Sequence, residues 1–355
     1  MEYKVQNLYV RFGSVEALRN VSLQGGSDFT AVLGHSGSGK TSLLRVLAGL
    51  CFPVSDRLYS FVQPVADFFG IHSKKVEVKG EIVVGGINVN LAMPYEVPVS
   101  YMPQRLGFHP HWSVADNVRF GRGDHMLGNK SADTDLLAAL RAVKLSPDLL
   151  HRTSVHSLSG GEMQRLAMAR MVFDVLGHQR GSRLLLFDEP LSHLDQNLQR
   201  QLRWEMQSVH QRYAGASIYV THNFADVEQL ADKVIVINEG RLEQVGTPSE
   251  VYRKPVSLNV LNLTGPANVL SGENGELIAS RPAEVWLSPV PEAGYEVVSV
   301  RHLADRSRYQ VVAKGQSDQV IESWSPVQFA PGERVVPDYR RTPLRFSSET
   351  GDKID

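Results

Sequence analysis

One run of eight residues constrains this chain more than anything else in it: Gly34-His35-Ser36-Gly37-Ser38-Gly39-Lys40-Thr41. It satisfies G-x-x-x-x-G-K-[ST] at every fixed position. An apolar run, Phe29 to Leu33, precedes it, and a helical stretch, Thr41 to Leu50, follows. Strand, glycine-rich turn and helix in that order suit phosphate binding rather than a plain surface turn. Gly34, Gly37 and Gly39 let the backbone wrap closely enough for its N–H groups to face phosphate oxygens, and the helix N-terminus adds positive potential. Lys40 supplies a point charge for the β and γ phosphates, and the Thr41 hydroxyl suits Mg²⁺. His35, Ser36, Ser38 and Ser42 complete the nucleotide-binding set.

The rest of the chain supplies a frame for that loop. Its 355 residues correspond to about two domains at ~150 residues each. Residues 1–245 alternate apolar runs with helical stretches, the pattern of an α/β domain with a mostly parallel sheet. Phe29 to Leu33, Leu184 to Phe187, Ile218 to Val220 and Val234 to Ile237 read as buried strands, and ligands in such sheets bind beyond the carboxyl ends of the strands. Val234 to Asn238 and Arg241 to Val245 form a hairpin that turns at Gly240. Residues 246–267 read as a helical connection, and 268–355 as a small all-β barrel or sandwich.

Charge and cysteine usage narrow the function. The chain has 37 Lys+Arg against 38 Asp+Glu, so no basic footprint for nucleic acid extends over it. Cys51 is the only cysteine, which excludes an intramolecular disulfide and a Cys-rich zinc site. No apolar run reaches the ~18 to 20 residues of a membrane span. The start, MEYKVQNLYV, lacks the form of a secretory signal, so the expected location is cytosolic.

Three further runs decide between classes of nucleotide-binding protein: LSGGEMQR at Leu158 to Arg165, RLLLFDEP at Arg183 to Pro190, and SHLD at Ser192 to Asp195. Ser159 with Glu162 is also a helix capping box, and a capped glycine-rich helix start is itself an anion site. Asp188 and Glu189 are adjacent acids at a strand end, which repel unless a cation or a reacting water engages them. Together with the phosphate loop, these runs resemble the ATP-binding cassette (ABC) family. The resemblance implies a P-loop NTPase cassette: a mostly parallel sheet, an antiparallel β subdomain and a helical signature subdomain.

It also implies roles for particular residues. Asp188 would be the Mg²⁺-associated carboxylate, together with Thr41 and Gln104. Glu189 would be the general base, His222 the residue that senses the γ-phosphate, and Gln104 the link to a transmembrane partner. Phe12 would stack on adenine. ATP would be clamped between the loop of one chain and Ser159, Gly160, Gly161 and Glu162 of a second, with Asp195 in the same nucleotide site, giving a homodimer with two composite sites. Residues 246–355, anchored by Arg281-Pro282-Ala283-Glu284, look like the connection and OB-like TOBE domain of bacterial importer ATPases. The implied partners are transmembrane permease subunits and an extracytoplasmic solute-binding protein, with no nucleic acid, and the implied location is the cytoplasmic face of the inner membrane. A soluble ABC ATPase acting on nucleic acid or in translation is the alternative, but tandem cassettes, zinc modules and a basic balance are lacking. A degenerate regulatory cassette conflicts with the intact Lys40, Asp188, Glu189 and His222. Ferric iron, sulfate, molybdate, polyamine and sugar all remain open as transported solutes.

The chain departs from the family pattern in three places. Cys51 to Lys79 stands where a short turn is usual, and carries Leu58, Phe61, Val62, Val65, Phe68 and Phe69 at near-helical spacing broken by Pro64. This reads either as a partner-facing amphipathic segment or as a surface elaboration. Gly177 to Ser182 reads as a lengthened solvated loop. Pro103 occupies the usual aromatic position before Gln104.

Overall fold

The structure, a computed structural model, describes residues 1–51, 76–122, 130–151, 154–192, 194–272, 276–290, 294–302, 309–315 and 319–354. The chain divides into two compact units, Met1–Ser249 and Glu250–Asp355.

The first unit opens with β1 (Tyr3–Phe12), β2 (Val15–Gly25), β3 (Phe29–Leu33) and α1 (Lys40–Leu47). Next come β4 (Val76–Val84), β5 (Ile87–Asn88), β6 (Val99–Met102), α2 (Val114–Arg119), α3 (Lys130–Ala142) and α4 (Gly160–Leu176). It continues with β7 (Leu184–Asp188), α5 (Gln196–Tyr213), β8 (Ala216–Thr221), α6 (Phe224–Leu230), β9 (Lys233–Asn238) and β10 (Arg241–Gly246).

Its main sheet has the order β10-β9-β3-β8-β7-β6. Neighbours from β9 through to β6 run parallel, and only β10 is antiparallel. Every residue of β3, β7 and β8 is buried, as expected of parallel strands covered on both faces. Side chains alternate between those faces. Phe29, Leu185, Phe187 and Tyr219 join the core beneath α4. Val32, Leu184, Leu186, Ile218 and Val220 join a second core with Leu43, Leu44 and Leu47 of α1 and with Val5, Leu8 and Ile82 of the antiparallel layer.

That antiparallel layer, ordered β2-β1-β4-β5, corrects one expectation. Val76 to Lys79 belong to β4, not to an insertion, and pair across from Phe12, Arg11, Val10 and Tyr9 of β1. The cause is a period of two in the sequence: Val76 and Val78 pack on the second core, while Glu77 faces out and pairs with Arg11 at 2.5 Å and Lys79 at 2.6 Å. Cys51, at the other end, is buried in the same core. The apolar set Leu58, Phe61, Val62, Val65, Phe68 and Phe69 lies outside the described residues. Residues 177–180 are exposed, although His178 Nδ1 lies 2.8 Å from the Asp174 carbonyl oxygen.

The second unit holds most of α7 (Pro248–Arg253), then α8 (Leu258–Thr264) and strands β11 (Asn268–Ser271), β12 (Glu276–Ser280), β13 (Val285–Pro289), β14 (Tyr295–His302), β15 (Tyr309–Gly315), β16 (Val320–Ser325), β17 (Arg334–Tyr339), β18 (Leu344–Ser347) and β19 (Lys353–Ile354). The strands form two antiparallel sheets, β11-β12-β18-β19 and β13-β17-β14-β15-β16. Buried Arg281 donates to the carbonyls of Leu261 and Gly265 at 2.9 and 2.8 Å, fixing α8 against these sheets. Among the described residues, no helix is long and apolar enough to cross a membrane.

Candidate functional site

The glycine-rich loop leaves β3 at the carboxyl end of the parallel strands and enters α1 at Lys40. Its shape needs glycine for steric reasons. Gly39 has φ 104°, and a Cβ there would lie 2.3 Å from the Ala17 carbonyl oxygen; a Cβ on Gly34 would lie 2.3 Å from that of Ile237. Lys40, only 4% exposed, folds beneath the loop and donates to the carbonyls of Gly34 at 2.8 Å and His35 at 2.7 Å. Burial lowers its pKa, and the charges of Glu189 and Asp188 oppose that shift. His35, Ser36 and Gly37 stay exposed, Ser38 is buried, and Ser42 is half-buried on α1.

Next to the loop, β7 delivers the two acids. Asp188 accepts a hydrogen bond from Thr41 Oγ1 at 2.9 Å and one from Tyr101 Oη at 3.0 Å. Burial raises its pKa against the pull of those two bonds and of Arg45. Glu189 sits in the left-handed region at φ 46°, a conformation costing a non-glycine residue roughly 1 kcal/mol or more. Its N–H donates to Val220 O at 3.1 Å, and its carbonyl accepts from Ser192 Oγ at 2.8 Å. So held, Glu189 Oε2 lies 3.5 Å from Gln104 Nε2 and 3.4 Å from His222 Nδ1. Gln104, Glu189 and His222 follow β6, β7 and β8, three adjacent strands. The structure therefore gathers Lys40, Thr41, Gln104, Asp188, Glu189 and His222 at one end of one sheet.

Two residues of this cluster had not been singled out from sequence. Tyr101 reaches Asp188 because β6 lies beside β7 with Tyr101 opposite Leu186. Arg45 lies four residues after Thr41, and so on the same face of α1. A phenol in an apolar strand three residues before Gln104, and that i,i+4 spacing, were the available signals.

The signature residues lie elsewhere. Ser159 caps α4: its Oγ accepts from Glu162 N at 3.3 Å, and Glu162 Oε2 accepts from Ser159 N at 2.8 Å. Gly161 packs closely on α5, where a Cβ would meet Leu198 Cδ2 at 2.8 Å, whereas a Cβ on exposed Gly160 has its nearest neighbour at 4.0 Å. Asp195 caps α5, accepting from Asn197 N at 3.1 Å and Leu198 N at 3.0 Å. Ser159, Gly160, Gly161, Glu162 and Asp195 share one open cleft, and no phosphate-loop residue lines it. Phe12, at the end of β1, is half-buried and packs against the second core.

Residues 18–192 match the model of the ABC transporter family. Over 368 residues, covering 97% of each protein, the chain is 30% identical to the sn-glycerol-3-phosphate import ATP-binding protein UgpC 3 of Rhizobium etli. The chain belongs to the ABC transporter family. It is also 31% identical over 262 residues to the spermidine/putrescine import ATP-binding protein PotA of Bacteroides fragilis, covering 74% of this chain and 50% of that one. With the sn-glycerol-3-phosphate import ATP-binding protein UgpC of Burkholderia thailandensis, it shares 36% identity over 251 residues, covering 70% and 61%. The match thus spans half to three-fifths of these last two relatives and nearly all of the first. All three are import ATP-binding proteins, and the chain is an ABC ATPase of that importer type. Its fold resembles that of the cassette MJ0796, solved as a dimer in a post-hydrolysis state with ADP and Pi: TM-score 0.54 at 20% identity, over 69% of this chain and 98% of that one.

Proposed function

We propose that two copies of this chain bind and hydrolyse ATP at composite sites, and couple that cycle to solute uptake through separate membrane permease subunits. The observation that carries the reading is Glu189, which Gln104 and His222 face from either side at 3.5 and 3.4 Å. A carboxylate so placed suits the general base that takes the proton of an attacking water. Lys40, released from the loop carbonyls, meets the β and γ phosphates. His222 donates to the γ-phosphate, and Gln104 relays the state of the site toward the permease.

The donor set beside Glu189 fits Mg²⁺. A carboxylate and a hydroxyl 2.9 Å apart are the hard oxygen ligands that magnesium takes alongside phosphate and water, and the bound ion would neutralise phosphate charge as it develops. Thr41, Asp188 and, through its amide oxygen, Gln104 are the residues to hold it. Phe12 provides the adenine surface.

The open signature cleft supports the two-chain reading. Ser159, Gly160, Gly161 and Glu162 form a capped helix N-terminus suited to an anion, with no phosphate loop of their own chain beside it. The γ-phosphate on a second chain's Lys40 would supply that anion, with Asp195 at the same contact. Residues 246–267 would connect the cassette to an OB-like TOBE domain at 268–355. The complex would sit at the cytoplasmic face of the inner membrane and take its cargo from an extracytoplasmic solute-binding protein. Relatives at similar identity are named for a polyamine and for a phosphorylated polyol, which suits a cassette that drives transport while other subunits choose the solute. Size-exclusion chromatography with ATP tests this reading: Glu189→Gln is expected to run as an ATP-dependent dimer and Lys40→Ala as a monomer. A monomeric Glu189→Gln chain at saturating ATP contradicts it.

A further inference from the structure

Behind the turn that carries His222 lies a buried ionic cluster. Asp226 on α6 is 4% exposed, and its carboxylate collects donors from three places. Arg203 on α5 reaches it through Nε at 2.8 Å and Nη2 at 2.5 Å. Tyr219 Oη, from within β8, lies at 3.0 Å. Thr221 Oγ1 and Asn223 Nδ2, the neighbours of His222 on either side, lie at 3.2 and 3.4 Å. Asn223 N donates to Thr221 Oγ1 at 2.9 Å, and Asp226 N to Asn223 O at 3.2 Å, which closes the turn on itself.

The cluster also extends toward Glu189. Arg203 Nη2 donates to Gln199 Oε1 at 3.3 Å, and Gln199 Nε2 donates to the carbonyls of Leu191 and Leu194 at 3.0 and 3.1 Å, in the segment that follows Glu189. A cavity of about 160 Å³ lies between the two, lined by Glu189, Ser192, Thr221, His222, Asn223 and Asp226 among others.

His222 itself is little constrained by packing, since its side chain is 55% exposed. Its aim toward Glu189 therefore depends on the backbone on either side. We propose that Asp226, locked by Arg203, is the positioning residue for His222: it clamps residues 221 and 223 so that the imidazole stays opposed to Glu189. The clamp is stiff because a shift of the carboxylate would leave the buried Arg203 charge unpaired, which is strongly unfavourable. The proposal rests on the roles given above to Glu189 and His222.

Steady-state ATPase measurements on the full chain test it with paired variants. Thr221→Val and Tyr219→Phe each remove one hydroxyl donor from Asp226 Oδ2 at little change in volume, but only Thr221 belongs to the His222 turn, where its hydroxyl also accepts from Asn223 N. Thr221→Val is expected to lower kcat by about tenfold to a hundredfold, the range for a misplaced reacting group, with KM for ATP unchanged. Thr221→Ser, which restores the hydroxyl, is expected to recover wild-type kcat, and Tyr219→Phe to keep it. In a His222→Ala background, Thr221→Val is expected to add no further loss, because coupled residues are not additive. Equal kcat in Thr221→Val and Tyr219→Phe, or a full Thr221→Val effect without His222, overturns the proposal. If His222→Ala alone keeps wild-type turnover, the reading of the site falls and the proposal with it; if His222→Ala loses turnover and Thr221→Val does not, only the proposal falls.

Discussion

Asp188 is under opposed demands: burial disfavours its charge, while Thr41, Tyr101 and Arg45 favour it, and burial wins, holding its pKa above the ordinary carboxylate range. A folded-state value above the unfolded one means that the folded chain holds this proton more tightly. The ligand-free protein therefore gains stability from this group as pH falls through the raised value, and bears the full cost of the buried charge above it. Asp188→Asn does not titrate. Its melting temperature, relative to wild type, is expected to be most favourable near neutral pH and to lose that advantage below about pH 4, where the carboxyl itself is protonated. Thermal melts across pH check this, and a difference constant with pH contradicts it. The residues that meet at this end of the sheet could be picked out in the sequence because phosphate and proton chemistry demand fixed residue types at fixed spacings. Tyr101 was not, since its meeting with Asp188 depends on β6 lying next to β7, a pairing between segments more than eighty residues apart. The left-handed φ of Glu189 is likewise held by its backbone bonds to Val220 and Ser192, not by its own preference.

At the level of elements, the boundary of the segment after α1 decides what can be removed. Replacing residues 52–75 with a short Gly/Ser linker is expected to leave ATP binding close to wild type, because Gly34 to Thr41 and β4 stay whole. Extending the cut to Lys79 deletes four β4 residues that pair with Phe12, Arg11, Val10 and Tyr9, and is expected to destabilise the antiparallel layer. Nucleotide titration and thermal melts on both deletions separate these outcomes, and equal stability would mean Val76 to Lys79 have no part in holding β1. The signature helix allows a second test. Glu162→Ala removes the return half of the capping box at Ser159 and is expected to cost about 0.3–1.5 kcal/mol, the range for one capping feature; Glu162→Gln can still accept the Ser159 N–H and is expected to lose less. Chemical denaturation measures both. Buried strands such as β3 and β7 can be read from sequence as apolar runs, whereas the start of β4 is not legible, because its outward Glu77 and Lys79 look like loop residues until β1 is beside them.

At the scale of the molecule, sequence pattern pointed to a mostly parallel sheet before a β-rich region, and both are present. The division of the second unit into two sheets was not legible, because short strands separated by Gly, Pro and Ser carry no signal of which strand each one pairs with. The placement of the signature cleft away from the phosphate loop is likewise a long-range result of α4 and α5 packing on the far side of the sheet. That separation makes the central claim testable by complementation. In the proposed composite site, Lys40→Ala would disable one half and Gly160→Glu the other: a Cβ at Gly160 meets nothing closer than 4.0 Å, and an acid suits a helix N-terminus, so the chain is expected to fold while repelling phosphate. Each variant alone is expected to lose ATPase turnover. An equimolar mixture is expected to recover turnover, since a mixed dimer rebuilds one intact site from the Lys40 of one chain and the signature of the other; a mixture no more active than its two components would contradict a site shared between two chains.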